Sequence, residues 1–237
     1  MITTVTFRHK STIARITGEE RFIAVAKNEI VRRYAEVEEY CVSDPAFQTT
    51  LEPYSVPADA SQIVREMTTA AARCGVGPMA AVAGAIARYA VIAMQKAGAT
   101  HAIVDNGGDI AMLNDRPIVV GIYTGPAEIR DLGLRFPARS KLTGVCTSSG
   151  VIGHSLSFGS SHASIILCED PILADAAATA LGNRIRSKDP AGIENAMNAV
   201  LEFGVAGCIV IIDDYFGFAG EIPEICRIEM NEELIAK

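Results

Sequence analysis

Two segments of this sequence run through the same order of elements, and this repetition limits the fold more than any other feature. The segments MQKAGATHAIVDNGGDIAML and AVLEFGVAGCIVIIDDYFGFAG each pass from a helix end through a glycine-containing break into an apolar strand, an acidic turn and a second strand. Alternating elements often resemble one another by chance, so the likeness can be accidental or can reflect an internal duplication. A duplication predicts an α+β fold, in which helix pairs pack on one face of a mainly antiparallel sheet.

Hydrophobic periodicity places the individual elements of both halves. Alternating or β-branched residues predict strands, and helical spacing with helix-start residues predicts helices. The strands are predicted at 2–8, 11–18, 20–26, 101–105, 108–113, 117–124, 131–136, 142–147, 155–158, 162–169, 206–213, 215–219 and 225–230, and the helices at 27–39, 61–73, 78–97, 171–186 and 190–203. We expect a single domain over 1–237, which a duplication would divide into about 1–125 and 126–237.

Charge and cysteine content argue against several classes of function. A net charge of −7 without a basic cluster argues against a nucleic-acid or membrane partner. Six scattered cysteines without a CxxC pair do not indicate structural zinc, and they fit a reducing cytoplasm better than secretion. The longest apolar stretch, PMAAVAGAIARYAVIAMQ, is rich in alanine and carries Arg88 in its middle. We therefore interpret it as a buried helix and not as a membrane span.

The stretch VDNGGDI places two glycines between an amide and a carboxylate, directly after a predicted strand. Asn106, Gly107, Gly108 and Asp109 are typical of a hairpin turn, which is the simpler interpretation. Adjacent glycines also leave bare backbone, against which a ligand can lie and whose amide hydrogens can donate to it. The motif is therefore a candidate ligand site as well as a turn.

Asp175 and Thr179 stand four residues apart near the start of the helix predicted after Pro171. This spacing puts a carboxylate and a hydroxyl on one face of the helix, surrounded by alanines. Such oxygen ligands can hold a hard cation such as Mg²⁺, with the remaining positions left to phosphates and water. The other interpretation is an aspartate favoured by the helix dipole, with the threonine hydroxyl bonded to a backbone carbonyl.

Three hydroxyl residues followed by a glycine, Thr147-Ser148-Ser149-Gly150, form a turn suited to binding an anion. His154 follows shortly after, so Ser148 or Ser149 with His154 could also be a nucleophile and its base. No G-x-S-x-G elbow surrounds either serine, which favours a polar turn over a hydrolase.

The order of these motifs, with the strands between them, resembles the C-terminal half of the ApbE-like family. NGGDI is followed by the strand PIVVGIYTGP, the TSSG turn, another strand and LADAAATALGN, and the matching stretch covers about 78–185. The family is best known for magnesium-dependent flavin transferases, which cleave FAD and attach FMN to a threonine of a target protein. The resemblance implies a duplicated T-fold-like unit. The family's GIAKGY segment has a looser counterpart in GAIARY, where Arg88 replaces the lysine.

In that family an NxGGD turn lies by the flavin, a TSG turn follows, and an ADxxxTA helix supplies metal-binding oxygens. The resemblance therefore implies a site that binds FAD or FMN together with Mg²⁺. Carried over to this sequence, the flavin-binding positions are Asn106, Gly107, Gly108, Asp109, Thr147, Ser148, Ser149 and His154, and the metal-binding and catalytic positions are Asp175 and Thr179.

The sequence also departs from the transferases. Between the TSG turn and the ADxxxTA helix they carry HxxDPxTG, whereas this interval reads VIGHSLSFGSSHASIILCEDPIL. The chain is shorter and shows no export signal, so it is more similar to the uncharacterised cytoplasmic branch of the family, some members of which have been linked to sulfur assimilation. Two functions are expected: FMN transfer or diphosphate cleavage, or a non-catalytic cytosolic accessory protein. The partner would be a small-molecule nucleotide, and a homodimer through the sheet edges is a further expectation.

Overall fold

The computed structural model describes residues 1–151 and 159–229, and it shows the alternation of strand pairs and helices that the sequence predicts. The strands are β1 (Ile2–His9), β2 (Thr12–Glu19), β3 (Ala102–Asn106), β4 (Asp109–Asn114), β5 (Ile118–Ile122), β6 (Leu132–Phe136), β7 (Arg139–Ser148), β8 (Ala163–Cys168), β9 (Gly207–Ile212), β10 (Tyr215–Gly220) and β11 (Glu224–Arg227). The helices are α1 (Glu20–Ser43), α2 (Pro45–Thr49), α3 (Gln62–Cys74), α4 (Val82–Lys96), α5 (Pro171–Arg184) and α6 (Pro190–Leu201), with a 3₁₀ turn at Pro78–Ala81 before α4.

Eight strands form one antiparallel sheet in the order β1-β2-β3-β4-β7-β8-β9-β10. A strand pair, helices and a second strand pair follow one another twice along the chain, and β4 and β7 pair at the junction. The helices lie on one face of this sheet, so the predicted α+β architecture is confirmed. A division of the chain near residue 125 stays a prediction, as does a homodimer through the edge strands β1 and β10.

A second sheet covers part of the opposite face. It contains three strands in the order β11-β6-β5. Leu134 and Phe136 of this sheet share a hydrophobic core with Met112, Ile165 and Ile209 of the large sheet, apart from the core beneath the helices. The sequence predicts these strands singly, but no pattern in it predicts that they form a separate layer.

Three turns lie at the same end of the strands of the large sheet: the β1–β2, β3–β4 and β9–β10 turns. We call this end of the sheet the hairpin edge. Ala14 of β2 pairs with Asn106 of β3 beside the first two turns. Cys146, near the end of β7, pairs with Asp109 at the start of β4. This antiparallel register brings the NGGD and TSSG motifs together although they are far apart in sequence.

The prediction of a strand at 20–26 is wrong, because α1 begins at Glu20 directly after β2. The residues of this stretch that are buried lie on one face of the helix, and that face continues along α1. The stretch RFIAVAK is too short to separate strand alternation from the start of a helical pattern. The buried residues of this stretch are Phe22, Ile23 and Ala26, and Ile30 continues the same face.

The other predicted elements agree with the structure apart from shifts at their ends, where sequence patterns define boundaries least well. The helix α2 (Pro45–Thr49) is an exception, since no sequence pattern predicts it. The strand predicted at 155–158 lies outside the described residues.

The apolar stretch predicted as a buried helix is confirmed as part of the core. Within residues 1–151 and 159–229, Pro78–Lys96 is the one helical stretch with the length and composition to cross a membrane, and more than half of its most apolar part is buried inside the protein. Ala85, Ala87 and Ala90 on this helix are fully buried. Small side chains on α4 therefore serve close packing against α1, α5 and the sheet.

Candidate functional site

The two glycines of the NGGD motif form the two-residue turn between β3 and β4. Asn106 pairs with Asp109 across the turn, and the φ angles of Gly107 and Gly108 are 74° and 105°. Two successive positive φ angles are what a type I′ hairpin needs, so the turn explains both glycines. The amide of Gly108 donates to Asp105 Oδ1 at 2.9 Å and closes the turn.

The backbone of this turn is also open to a ligand. A Cβ atom built on Gly107 would meet no atom within 4 Å, and one built on Gly108 would meet only Thr147 Cβ at 4.0 Å. The turn interpretation and the ligand interpretation are therefore compatible, because the conformation requires glycine and the space beside it is free.

Asn106 and Asp109 lie on the helix-covered face of the sheet. The Asn106 Nδ2 donates to the carbonyl oxygen of Ala83 at 3.2 Å, at the start of α4. Asp109 stands opposite Cys146 and faces Asp175 of α5. Two motifs separated by a long stretch of sequence thus contribute to one buried cluster, as the resemblance implies.

Asp175 is held in place by the beginning of α4. Its side chain is 7% exposed, and its Oδ2 accepts from the Gly84 amide at 2.8 Å. The Ala83 amide also donates to this carboxylate. The free amides of a helix N-terminus are natural partners of an anion, so the first turn of α4 supports a charged Asp175.

The close approach of α5 to α4 and to the sheet depends on two glycines. A Cβ on Gly84 would lie 2.3 Å from the carbonyl oxygen of Pro171 and 2.7 Å from Asp175 Cβ. A Cβ on Gly144 of β7 would lie 2.7 Å from Pro171 Cα. Neither position has room for a side chain, so these glycines set the distance from Asp175 to the sheet. Thr179 lies one turn further along α5 and is half-buried.

Burial is the largest influence on the pKa values of the two acids in the cluster. Burial raises the pKa of Asp109 well above its usual value, and the charges of Asp175 and Asp105 raise it further. Burial also raises the pKa of Asp175, although the Gly84 and Ala83 amides favour its ionised form. Two adjacent buried carboxylates repel each other when both are charged, so the ion-free pair retains a proton near neutral pH.

One oxygen of Asp109 lacks a partner. The Thr147 amide donates to the carboxylate of Asp109, whereas the Cys146 thiol donates to the carbonyl oxygen of Pro171 at 3.5 Å. Within the described part of the chain, Oδ1 of Asp109 is buried without a hydrogen bond. Burial, together with the charges of Asp109 and Asp175, raises the pKa of the Cys146 thiol well above its usual value, so Cys146 is a neutral thiol here. A buried acceptor without a donor is costly, and it marks a place where a cation or a donor group would be stabilised.

The TSSG turn is closely packed beside this cluster. The Gly150 amide donates to the carbonyl oxygen of Ser161 at 3.0 Å, and a Cβ on Gly150 would lie 1.9 Å from the carbonyl oxygen of Gly159. The Val151 amide donates to Ser149 Oγ at 3.1 Å. Thr147 and Ser148 end β7 and remain partly exposed at the hairpin edge.

The prediction for His154 lies outside the described residues, so a pairing of His154 with Ser148 or Ser149 stays a prediction. Residues 1–151 and 159–229 contain no group of three or more histidine, cysteine, aspartate or glutamate side chains arranged to hold a metal ion. A cation at Asp109 and Asp175 would therefore need hydroxyl, carbonyl, phosphate or water oxygens as its other ligands.

A surface cavity of about 530 Å³ lies elsewhere, at the opposite edge of the large sheet. Its wall includes Thr100, Leu113, Asp115 and Arg139, and no residue of the predicted site. We place the candidate site at the hairpin edge, because the buried acids and the open glycine turn occur there.

Sequence patterns miss several groups that shape the site. Asp105 closes the hairpin and adds negative charge, and the amides of Ala83 and Gly84 bind Asp175. Backbone donors leave no signature in a sequence. The small residues of GAIARY are compatible with a close approach to α4, but they do not show which helix makes it.

Comparisons with known proteins identify the family and the fold. A family model described as AbpE bacteria matches residues 4–201. A protein of Methanocella arvoryzae, named "UPF0280 protein", is 48% identical over 235 residues, which make up 99% of this chain and 95% of the relative.

Two solved structures have a similar fold. "Flavin Transferase ApbE from Vibrio cholerae, H257G mutant" has a TM-score of 0.60 at 13% identity, and the likeness covers 92% of this chain and 97% of that chain. The apo flavinyl transferase ApbE of Pseudomonas stutzeri has a TM-score of 0.53 at 12% identity, covering 92% of this chain and 94% of that chain. At such identities the likeness concerns the fold, and function must be argued from the site.

Proposed function

The chain belongs to the family described as AbpE bacteria, and on this premise we propose that it binds FAD or FMN with Mg²⁺ at the hairpin edge and transfers FMN or cleaves the diphosphate there. Family membership confirms the resemblance to ApbE-like proteins that the motifs indicate. Flavin binding, the cation and the reaction are the proposal. The single observation that carries it is the buried Asp109 Oδ1, which has no hydrogen-bond partner in the described structure and lies beside the buried Asp175.

The residues of the cluster fit a hard cation. Asp109 and Asp175 offer two carboxylates whose mutual repulsion a divalent cation would offset. Thr179, one turn after Asp175, would add a hydroxyl oxygen from the same helix face. When bound, Mg²⁺ would polarise phosphoryl oxygens and neutralise charge that develops during cleavage. The protein contributes fixed positions, because the Gly84 amide and the close α4–α5 contact hold Asp175 in advance.

The flavin nucleotide would lie along the hairpin edge. Gly107 and Gly108 leave bare backbone and free space there, and Thr147 and Ser148 offer partly exposed hydroxyls beside them. Asn106 is already bonded to Ala83 and would keep the turn in register with α4. In this arrangement the phosphate oxygens would lie next to the two acids and the rest of the nucleotide against the turn.

A titration of the purified protein with FAD, with and without Mg²⁺, tests the function. We expect flavin binding that requires Mg²⁺, followed by release of AMP when a threonine-containing acceptor or water takes the FMN. Binding without AMP release would favour the non-catalytic accessory role. If FAD and FMN fail to bind in either condition, the flavin proposal is wrong.

Replacing Gly107 by asparagine distinguishes the role of this glycine in the turn from its role in contacting the ligand. Asparagine tolerates positive φ better than other residues with a side chain, so Gly107→Asn should cost less than about 1 kcal/mol of unfolding free energy. Its side chain would enter the free space beside the turn, and FAD affinity should fall roughly tenfold. Thermal or urea unfolding and FAD titration measure the two effects.

Gly75→Asn is the matched control for this variant. Gly75 has a φ of 70°, has no atom within 4 Å of a built Cβ, and ends α3 away from the hairpin edge. Gly75→Asn should change the unfolding free energy by less than about 1 kcal/mol, because asparagine is accepted at such helix ends. It should leave FAD affinity unchanged. Equal FAD affinity in the Gly107 variant and the wild type would mean that the glycines serve the turn alone.

A further inference from the structure

Arg88 lies where three helices meet. Its Nη1 donates to Glu66 Oε2 of α3 at 2.6 Å, and its Nε lies 3.5 Å from Asp170 Oδ1 at the start of α5. The side chains of Arg88 and Glu66 are 24% and 30% exposed, so water screens the first pair only in part. One guanidinium on α4 thus bridges carboxylates from two other segments.

Asp170 is also the N-cap of α5. Its Oδ1 accepts from the Ile172 amide at 3.1 Å, and this is the same oxygen that Arg88 approaches. An N-cap fixes where a helix begins and in which direction it enters. Arg88 therefore contacts the group that starts the helix on which Asp175 stands.

Arg88 and Gly84 are four residues apart on α4, so they share the face that packs against α5. Gly84 touches Pro171 and binds Asp175 through its amide. Arg88 forms an ion pair at 3.5 Å with Asp170, the residue just before Pro171, and the Asp170 side chain is 49% exposed. The first turns of α5 are thus attached to α4 at two points one helical turn apart.

Glu66 is well placed to hold the Arg88 side chain. Tyr89 Oη donates to the same Oε2 at 2.9 Å, and Gln62 Nε2 donates to Oε1 at 2.8 Å. Burial raises the pKa of Glu66, but these hydrogen bonds and the Arg88 charge outweigh it and keep the pKa below its usual value. Glu66 is therefore an ionised partner that orients the guanidinium towards Asp170.

We propose that Arg88 is a positioning residue for Asp175, because it fixes the start of α5 against α4 and so sets the Asp175 carboxylate at the Gly84 amide. An arginine suits this role better than a lysine, since its planar fork serves two carboxylates in fixed directions. The consequence for cation binding rests on the function proposed above. The effect on the position of Asp175 does not depend on that function.

Amide hydrogen exchange of the ion-free protein tests the position directly. In Arg88→Gln the Gly84 amide should exchange about tenfold faster relative to the amide of Ile209, which is fully buried on β9 between β8 and β10 and reports global opening. Arg32→Gln, which removes an exposed arginine from its pairs with Glu29 and Glu36, should leave this ratio unchanged. An unchanged Gly84 ratio in Arg88→Gln overturns the proposal.

If Arg88→Gln does not fold, two more conservative variants test whether Arg88 positions Asp175. Asp170→Asn keeps an N-cap side chain and removes the charge that faces Arg88. Arg88→Lys keeps a charge for Glu66 and loses the second contact. Each variant should raise the exchange rate of the Gly84 amide relative to that of Ile209. In the double variant, Asp170→Asn should add little to the effect of Arg88→Lys, because the two substitutions remove the same contact. Unchanged ratios in both variants would contradict the proposal.

Magnesium affinity gives the functional readout. If the wild type binds Mg²⁺, Arg88→Gln should weaken binding about tenfold, with Arg88→Lys in between. A wild type that fails to bind Mg²⁺ would contradict the proposed function, while the Gly84 exchange ratio would still decide the role of Arg88. Unaltered Mg²⁺ affinity in Arg88→Gln would show that Arg88 has no role in the site.

Discussion

Replacing Asp175 by asparagine is expected to abolish magnesium-dependent flavin binding in a chain that stays folded. The affinity for Mg²⁺ should fall at least about 100-fold, because ligand charge largely sets how tightly an oxygen site holds a hard cation. The amide retains an oxygen that can accept from the Gly84 amide, which lies 2.8 Å from Oδ2 in the wild type. The contact between α4 and α5 should therefore survive the change.

Calorimetric titration of Mg²⁺ into the protein in the presence of FAD measures this loss, and circular dichroism checks the fold. Asp189→Asn is the matched control, because Asp189 caps α6 through the Gly192 amide at 3.1 Å and has no part in the site. It should keep wild-type Mg²⁺ affinity. Retained affinity in Asp175→Asn would place the cation elsewhere and remove the basis of the proposed function.

The sequence predicts the strand pairs and the helix pairs because their signals are local. Alternation marks β1, β2 and β10, and proline after aspartate marks the starts of α5 and α6. The start of α1 is not predicted, because the burial that makes it a helix comes from packing against α4 and the sheet. Tertiary contacts of this kind override a short local pattern.

The candidate site is predictable in part. The Asp175 and Thr179 spacing and the order of motifs identify the helix and the turn that should meet. Their actual meeting depends on the register of β4 with β7 and on the absence of side chains at Gly84 and Gly144. Such distances arise only when the chain is packed.

The ionisation of the two acids is the property of the site that is least predictable from the sequence. Asp109 is an ordinary turn residue by its pattern, but burial and the charges of Asp175 and Asp105 raise its pKa. Among the described residues, its Oδ1 has no hydrogen-bond partner. The folded chain therefore carries a destabilising pair of acids at the point where family likeness implies a ligand. Strain of this kind is common where a site is organised before its ligand arrives.

The second large effect is expected in the pH dependence of stability without metal ions. An aspartate in an unfolded chain has a pKa of about 3.9, whereas burial raises the pKa of Asp109 and Asp175 in the folded protein. Between these values the folded state binds more protons than the unfolded state. The unfolding free energy therefore falls as pH rises from about 4 through the folded pKa values, and it then levels off.

Asp109→Asn removes the acid whose pKa burial raises most clearly. In EDTA the variant should be nearly as stable as the wild type near pH 4.5 and more stable than the wild type at pH 8, because only the wild type must ionise Asp109 in its buried position as the pH rises. Urea unfolding across this range measures the difference. Subtracting the two curves cancels groups such as His101, whose pKa burial lowers and whose contribution has the opposite sign.

Magnesium supplies the second half of this test. Saturating Mg²⁺ should stabilise the wild type at pH 8 and close the gap, because only the wild type retains both carboxylates and a ligand that binds the folded state raises its stability. A gap that is the same at every pH would mean that Asp109 is not a buried acid. If Mg²⁺ stabilised both proteins equally, Asp109 would have no contact with the cation.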